Sequence, residues 1–386
     1  MTAPYYSDDL VTLYHGDCIE VMRTLPDNSV HAVVTDPPYG LEFMGKGWDG
    51  ADGFRRSLNA ADAGRENAFG RASRTSPEYK AGRLFGEWCE VWAAEAFRIL
   101  KPGGHILAFG GTRTWQRLAV AVEDSGFEIR DSIAWLYGSG FPKVKTVLKP
   151  AFEPIVVGRK PFSGTLTANV LANGTGAFDI EATRTAFANA ADLAESTGKN
   201  QHAKFGTEPG QNNVYGDYSQ TEMKDYDGSK GRWPTNVLLD DSQANELDAQ
   251  TGISQSRIGK PRGAASGEGW GMTATGTEYD DAGGASRFFP TFHYEAKAPN
   301  TERPTVNGVQ HPTVKPLELM RWLVRLVTPP GGTVLEPFAG SGTTLEACLI
   351  EGFDVIGIER EDAYLPLIMQ RIKKPLQQSM FGDEFA

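Results

Sequence analysis

Four residues near the start of the chain have the types and spacing of a reaction centre: Asp36-Pro37-Pro38-Tyr39, followed by Gly40. A carboxylate and the Pro37 carbonyl offer in-plane acceptors, and the Tyr39 ring offers an aromatic face. That set suits a flat, amine-bearing ring. The prolines fix φ and stiffen the turn, so the three groups keep a set geometry. A second cluster lies far along the chain, where Phe338-Ala339-Gly340-Ser341-Gly342-Thr343-Thr344 follows Glu336-Pro337. Its glycines permit a tight turn and close ligand approach, and a helix start beyond them offers amides. Glu359 lies 17 positions after Gly342, near the distance at which an acid reaches ribose hydroxyls. Leu345 holds the place of the third glycine of the dinucleotide fingerprint, which disfavours a pyrophosphate and favours a ligand without phosphates.

Alternating strands and helices must position both clusters. Val30 to Thr35 is a β-branched run that ends in the acid and two prolines, which cannot continue a parallel ladder. Asp36 and Tyr39 therefore belong at the carboxyl edge of a sheet, where open α/β folds bind ligands. Further strands are expected at Leu10–Tyr14, His105–Phe109, Phe127–Trp135 and Pro154–Gly158. Helices are expected at Ile19–Leu25, Phe85–Leu100 and Trp115–Asp124. Residues 41–83 read as one long loop, and from about Lys160 to Gln310 the alternation vanishes into Gly, Asn, Thr and Ser. It returns with a helix at Leu317–Val327, carrying Leu319, Met320, Leu323 and Leu326 on one face. Strands at Val334–Pro337 and Val355–Glu359 and a last helix at Asp362–Ile372 follow. The pattern is that of an α/β fold with a mostly parallel sheet.

Composition narrows the classes. The chain of 386 residues is 40% hydrophobic and 23% charged, with no apolar run near the roughly 18 residues of a membrane span. The N-terminus lacks the basic and apolar regions of a signal peptide. Cys18, Cys89 and Cys348 have neither metal-site spacing nor an even count, and the six histidines form no metal pair, so a reducing cytoplasm and no metal are expected. The net charge of −11 argues against bulk attraction to nucleic acid. Locally the balance reverses. Arg55, Arg56, Arg65, Arg71, Arg74, Lys80 and Arg83 stand against Asp62, Glu66 and Glu78 directly after the Asp36 turn.

The chain resembles the β-class amino DNA methyltransferases, which methylate exocyclic nitrogens with S-adenosylmethionine. The resemblance rests on the order Asp-Pro-Pro-Tyr, recognition region, Phe-x-Gly-x-Gly. His15-Gly16-Asp17-Cys18 ahead of the first motif and His311-Pro312-Thr313-Val314-Lys315-Pro316 ahead of the second also match. It covers roughly residues 10–160 and 310–375 and is closest to the orphan enzymes of phage and bacterial genomes.

The resemblance implies a Rossmann-like methyltransferase fold with a mostly parallel seven-stranded sheet. Residues 1–160 and 311–386 would form the catalytic and cofactor domain, in permuted motif order, and 161–310 an inserted, loop-rich target-recognition region. It implies that Asp36 and the Pro37 carbonyl accept hydrogen bonds from the target amine, with Pro38 stiffening the turn and Tyr39 stacking on a flipped base. Glu336, Pro337, Phe338, Gly340, Ser341, Gly342, Thr343 and Thr344 would form the cofactor loop, with Glu359 on the ribose. Asp17 and Cys18 resemble the pair at the adenine, and Thr313 and Lys315 the residues at the methionine end, where Lys315 would pair with the carboxylate. Each has a plainer reading: Asp17 as a helix cap, Cys18 as a core thiol, Thr313 and Lys315 as a solvated helix start, Glu336 as a strand end.

Double-stranded DNA is the expected partner, with Arg55, Arg56, Arg71 and Arg74 on its backbone, and a homodimer is left open. Asp36 favours adenine over cytosine, whose enzymes in this family usually carry Ser-Pro-Pro-Tyr. C5-cytosine chemistry is excluded because no cysteine follows a proline. Protein glutamine methylation normally uses Asn at the head of the turn. A NAD-dependent oxidoreductase would explain the glycine loop and Glu359 but not the Asp36 turn. In the tail, Gln377, Met380 and Phe381 resemble the short motif that docks bacterial DNA enzymes on the replication sliding clamp.

Overall fold

Short β-branched and apolar runs make the strands, and polar, glycine or proline residues end them. The computed structural model describes residues 3–41, 49–61, 77–138, 140, 148–187, 190, 192–193, 211–212, 216–217, 229–255, 282–292 and 303–374. In chain order the first half holds β1 (Tyr6–Ser7), β2 (Val11–His15), α1 (Cys18–Met22), β3 (Val30–Thr35), α2 (Ala51–Ala61), α3 (Pro77–Ile99) and β4 (Leu100–Phe109). Next come α4 (Trp115–Asp124), β5 (Glu128–Leu136), β6 (Phe152–Arg159) and α5 (Leu166–Asn173). A small hairpin of β7 (Gln211–Asn212) and β8 (Gly216–Asp217) precedes β9 (Val237–Asp240) and α6 (Asp241–Thr251). β10 (Ser254–Gln255) and β11 (Ala282–Gly283) pair antiparallel, and β12 (Thr291–Phe292) follows. The chain closes with α7 (Leu317–Val327), β13 (Thr333–Glu336), α8 (Thr343–Glu351), β14 (Asp354–Glu359) and α9 (Leu365–Ile372).

One sheet organises the molecule, in the order β1-β2-β14-β13-β3-β4-β6-β5-β9-β12. Neighbours from β2 to β4 all pair in parallel, β6 runs antiparallel to both β4 and β5, and β9 is parallel to β5. The fold class is the expected α/β type. The sheet has ten strands rather than seven, with the short β1, β9 and β12, of two to four residues each, at its two edges. Tyr6–Ser7 is too short to leave a periodic signal, and the Val237 run stands as a short apolar island in a polar region.

The pleat sends alternate residues to two cores. Ala32, Val34, Leu107, Val334 and Val355 share one core with Leu319, Leu323, Cys348 and Ile368 from α7, α8 and α9. Val33, Ile106, Leu335 and Ile358 share the other with Ile19, Trp88, Trp92 and Leu118 from α1, α3 and α4. Each fully buried large side chain contributes about 1.5–3 kcal/mol, enough to fix the register of the central strands. The α7 helix buries the expected Leu319, Met320, Leu323 and Leu326, and adds Trp322, Val324 and Val327.

The long loop expected over residues 41–83 is not what forms. It contains α2 and the first turns of α3. Phe54 explains the difference: it is buried and stacks on Trp88 with ring centroids 4.7 Å apart. A contact with a residue 34 positions away (54 to 88) stabilises a helix that local periodicity does not announce.

The chain divides into two compact units: Met1–Thr183 with Asn236–Asp241 and Phe292–Ala386, and Arg184–Thr235 with Ser242–Thr291. In the second, the Arg232 guanidinium grips both oxygens of Asp192 and lies over the Phe187 and Phe288 rings, at 5.0 and 5.2 Å. Trp233 beside it is 64% exposed, with the Arg184 guanidinium 5.5 Å from its ring centroid. Among the described residues no helix is long and apolar enough to cross a membrane.

A buried ion pair fastens the helix that follows the glycine loop. Arg371 of α9, with no side-chain exposure, donates to Glu346 of α8. Lys374, half-exposed and 3.4 Å from the same carboxylate, compensates only in part. Arg371→Leu should therefore lower unfolding stability by about 3 kcal/mol in a urea titration, because it strands a buried carboxylate. An unchanged midpoint would remove the pair from the account of the fold.

Candidate active site at the carboxyl edge of the sheet

Where β3 ends, the Asp36 turn is held from several sides. Tyr39 Oη stands 2.8 Å from Asp36 Oδ1 and 3.1 Å from Glu153 Oε2. Lys315 Nζ lies 2.8 Å from Asp36 Oδ2 and 3.1 Å from Glu153 Oε2, and donates to Tyr39 Oη at 3.1 Å. The ammonium also sits over the Phe109 ring at 4.8 Å. Burial opposes its charge, but Asp36 and then Glu153 outweigh that and hold it above the ordinary lysine value. Burial, then the two carboxylates, push the Tyr39 hydroxyl well up, so it remains a donor. Asp49 is buried and accepts from the Gly40 and Leu41 amides at 2.7 and 3.2 Å, and Thr114 Oγ1 donates to the Tyr39 carbonyl at 2.7 Å.

On the adjacent strand, β13 delivers the glycine loop. Gly340 has φ +53° and Gly342 φ +82°, a region that side chains strain. A Cβ on Gly342 would also come within 3.1 Å of the Ile368 backbone. Glu359, at the end of β14, holds the loop open: its Oε2 accepts from Gly340 N and its Oε1 from Glu361 N, both at 2.7 Å. Burial pushes its carboxyl up to about 7 despite those donors. Glu336 is deeper. Thr35 and Thr344 hydroxyls donate to it at 2.5 and 2.6 Å and Phe338 N at 3.0 Å, while burial raises it to about 8. Leu345, in the third-glycine place, is fully buried, and a Cβ on Gly357 would meet it at 2.9 Å.

At the end of β2, Asp17 does what a cap does, Oδ1 accepting from Ile19 N at 3.0 Å. Its Oδ2 accepts from Ser57 Oγ at 2.7 Å, and Ser57 in turn receives Trp88 Nε1 at 3.3 Å. Cys18 is a buried free thiol whose pKa burial pushes up. Thr313 is exposed, with its carbonyl against His311 Nδ1.

These ends share one cavity of about 440 Å³. Its lining takes in Asp17, Cys18, Asp36, Pro37, Pro38, Tyr39, Thr313, Lys315, Glu336, Pro337, Phe338, Gly340, Ser341, Thr343, Thr344 and Glu359. Gly342 is outside the lining, at the start of α8. Lys315 stands with the Asp36 carboxylate and pairs with both Asp36 and Glu153. Arg55 and Arg56 are exposed on α2, away from the cavity wall. Arg71, Arg74, Gln377, Met380 and Phe381 lie outside the described residues. The cavity also has walls that the motifs do not announce: Phe54, Trp88, Asp49, Tyr137, Glu153 and Arg303. Of these only Glu153, an acid opening an apolar run, leaves any mark in the sequence, and it is a faint one.

Residues 30–370 match the DNA methylase family of N6/N4 methyltransferases. The type II methyltransferase M.HindIII of Haemophilus influenzae is 28% identical over 203 residues, 43% of this chain and 64% of that protein. The type II methyltransferase M.BamHI of Bacillus amyloliquefaciens is 31% identical over 106 residues, 28% of this chain and 19% of that protein. The matched part thus spans less than two thirds of either relative. Among solved structures, the cytosine-N4-specific PvuII DNA methyltransferase aligns over 97% of this chain and 90% of its own, at 15% identity and a TM-score of 0.49. The family match takes in both the Asp36 turn and the glycine loop, and the chain belongs to the N6/N4 DNA methylase family.

Proposed function

We propose that the chain is a site-specific DNA methyltransferase that uses S-adenosylmethionine to methylate the exocyclic N6 of adenine in double-stranded DNA. The observation that supports it most is the meeting of an acceptor-and-ring turn with a phosphate-free nucleoside loop in one cavity. Adenine is favoured because the turn begins with Asp36.

The residues present fit the cofactor. Each Glu359 oxygen accepts one amide and keeps lone-pair capacity for a ribose hydroxyl. Phe338, packed 5.4 Å from both Trp88 and Trp92, gives the loop a rigid aromatic wall. Buried Leu345 leaves no glycine for a pyrophosphate to approach. Asp17 and Cys18 would hold the adenine end. When bound, S-adenosylmethionine supplies an electrophilic methyl on a sulfonium.

The chain's own groups do the rest. An exocyclic amine is a poor nucleophile because its lone pair is delocalised into the ring. Asp36 and the Pro37 carbonyl accept its two N–H groups, favour a pyramidal nitrogen, and stabilise the positive charge that grows on it. Asp36 is then the acceptor nearest to the proton the nitrogen must shed. The target atom is inaccessible inside a duplex, so the base is flipped out, at a few kcal/mol that stacking on Tyr39 partly offsets. Residues 161–310 are assigned to reading the target sequence, with Arg55 and Arg56 contacting the DNA backbone.

Asp36→Asn keeps the shape of the side chain and removes the charged acceptor. It should lower methylation of DNA at least about 100-fold while cofactor binding survives. Retained activity would sink the role given to Asp36. Glu359→Ala should weaken S-adenosylmethionine binding by about 1–3 kcal/mol in calorimetry. Below about 7 the Glu359 carboxyl holds a proton and gives up an acceptor, so wild-type affinity should fall as pH is lowered through that value, and Glu359→Gln should flatten the dependence. A wild-type affinity independent of pH would mean that the acid only braces the loop.

A further inference from the structure

Glu153 has no part in the mechanism so far. It is the second residue of β6, whose antiparallel pairing with β4 brings its carboxylate to the same sheet edge as Asp36. Its Oε2 is 3.1 Å from Tyr39 Oη and 3.1 Å from Lys315 Nζ, and those same two donors occupy Asp36, one on each oxygen, at 2.8 Å. Tyr39 has a single hydroxyl proton and can serve only one carboxylate at a time. Lys315 is nearly buried at 10% side-chain exposure, so its charge needs an acid beside it wherever it rests.

An amine arriving at Asp36 thus meets a carboxylate that two donors already hold. An ammonium on Asp36 also weakens its attraction for the positive charge that grows on the nitrogen. We propose that Glu153 is a positioning residue: it takes over the Lys315 ammonium and the Tyr39 hydroxyl when the target amine engages Asp36. Two acids and one ammonium make the cluster net −1. Moving the ammonium onto Glu153 leaves the negative charge on Asp36, facing the amine, with no buried cation stranded. Because both donors already lie within 3.1 Å of Glu153, the exchange needs only a shift of hydrogen bonds. The assignment rests on the reading of Asp36 as the amine's acceptor.

The test compares wild type, Glu153→Gln, Glu153→Asp and Asp36→Asn on unmethylated DNA, with S-adenosylmethionine affinity measured by calorimetry. Glu153→Gln still accepts hydrogen bonds but cannot neutralise Lys315. It should lower kcat by about 10- to 100-fold, with KM for DNA and cofactor affinity within about threefold of wild type. Glu153→Asp restores the charge and should recover kcat to within about tenfold of wild type. Wild-type kcat in Glu153→Gln, with Asp36→Asn inactive, overturns the role of Glu153 and leaves the methyltransferase reading standing. A loss in Glu153→Asp as large as that in Glu153→Gln also overturns it, since charge then does not matter. Should Glu153→Gln fail to fold, Glu153→Ala takes its place, with the same expected loss of kcat, and a wild-type kcat there overturns the role. Inactive wild type, or active Asp36→Asn, would instead strike the functional reading itself.

Discussion

Glu336 is almost fully buried, and the hydroxyls of Thr35 and Thr344 donate to its two oxygens. Those threonines belong to different parts of the chain: one ends the strand of the Asp36 turn, the other begins the helix behind the glycine loop. A buried carboxyl left with an unpaired oxygen is costly, so the two ends are held together by the need to satisfy it. Phe338 N completes the set and fixes where the loop leaves the sheet. The common cavity follows from this join, because it sets the Asp36 turn beside the glycine loop across adjacent strands β3 and β13.

Charge is handled differently on the two sides. At the Asp36 turn one ammonium is shared by two acids, which keeps Lys315 charged in a nearly dry place. At the glycine loop the acids have amide and hydroxyl donors, and among the described residues neither Glu336 nor Glu359 has a lysine or arginine within salt-bridge distance, so burial moves both carboxyls upward. The first arrangement favours a fixed anion facing an amine. The second favours acceptors ready for neutral hydroxyls.

Much of this was legible in the sequence, for identifiable reasons. Proline and glycine mark the ends of β3 and β13 regardless of context, so the Asp36 turn and the Gly340 loop could be placed at one sheet edge. The apolar face of α7 was visible because seven of its eleven residues are buried at helical spacing. What escaped depends on distant partners. The α2 helix is stabilised by Phe54 on Trp88, β9 by pairing with β5, and Glu153 acquires its place only because β6 runs back along β4. Lys315 was recognised as a site residue from its motif, but only the fold shows that its ammonium lies between two carboxylates.

The most direct measurement is nucleoside mass spectrometry of unmethylated double-stranded DNA after incubation with the protein and methyl-labelled S-adenosylmethionine. Label in N6-methyladenine is the expected result. Label in N4-methylcytosine alone would contradict the choice of adenine, and DNA carrying no label in any base would contradict methyl transfer to DNA.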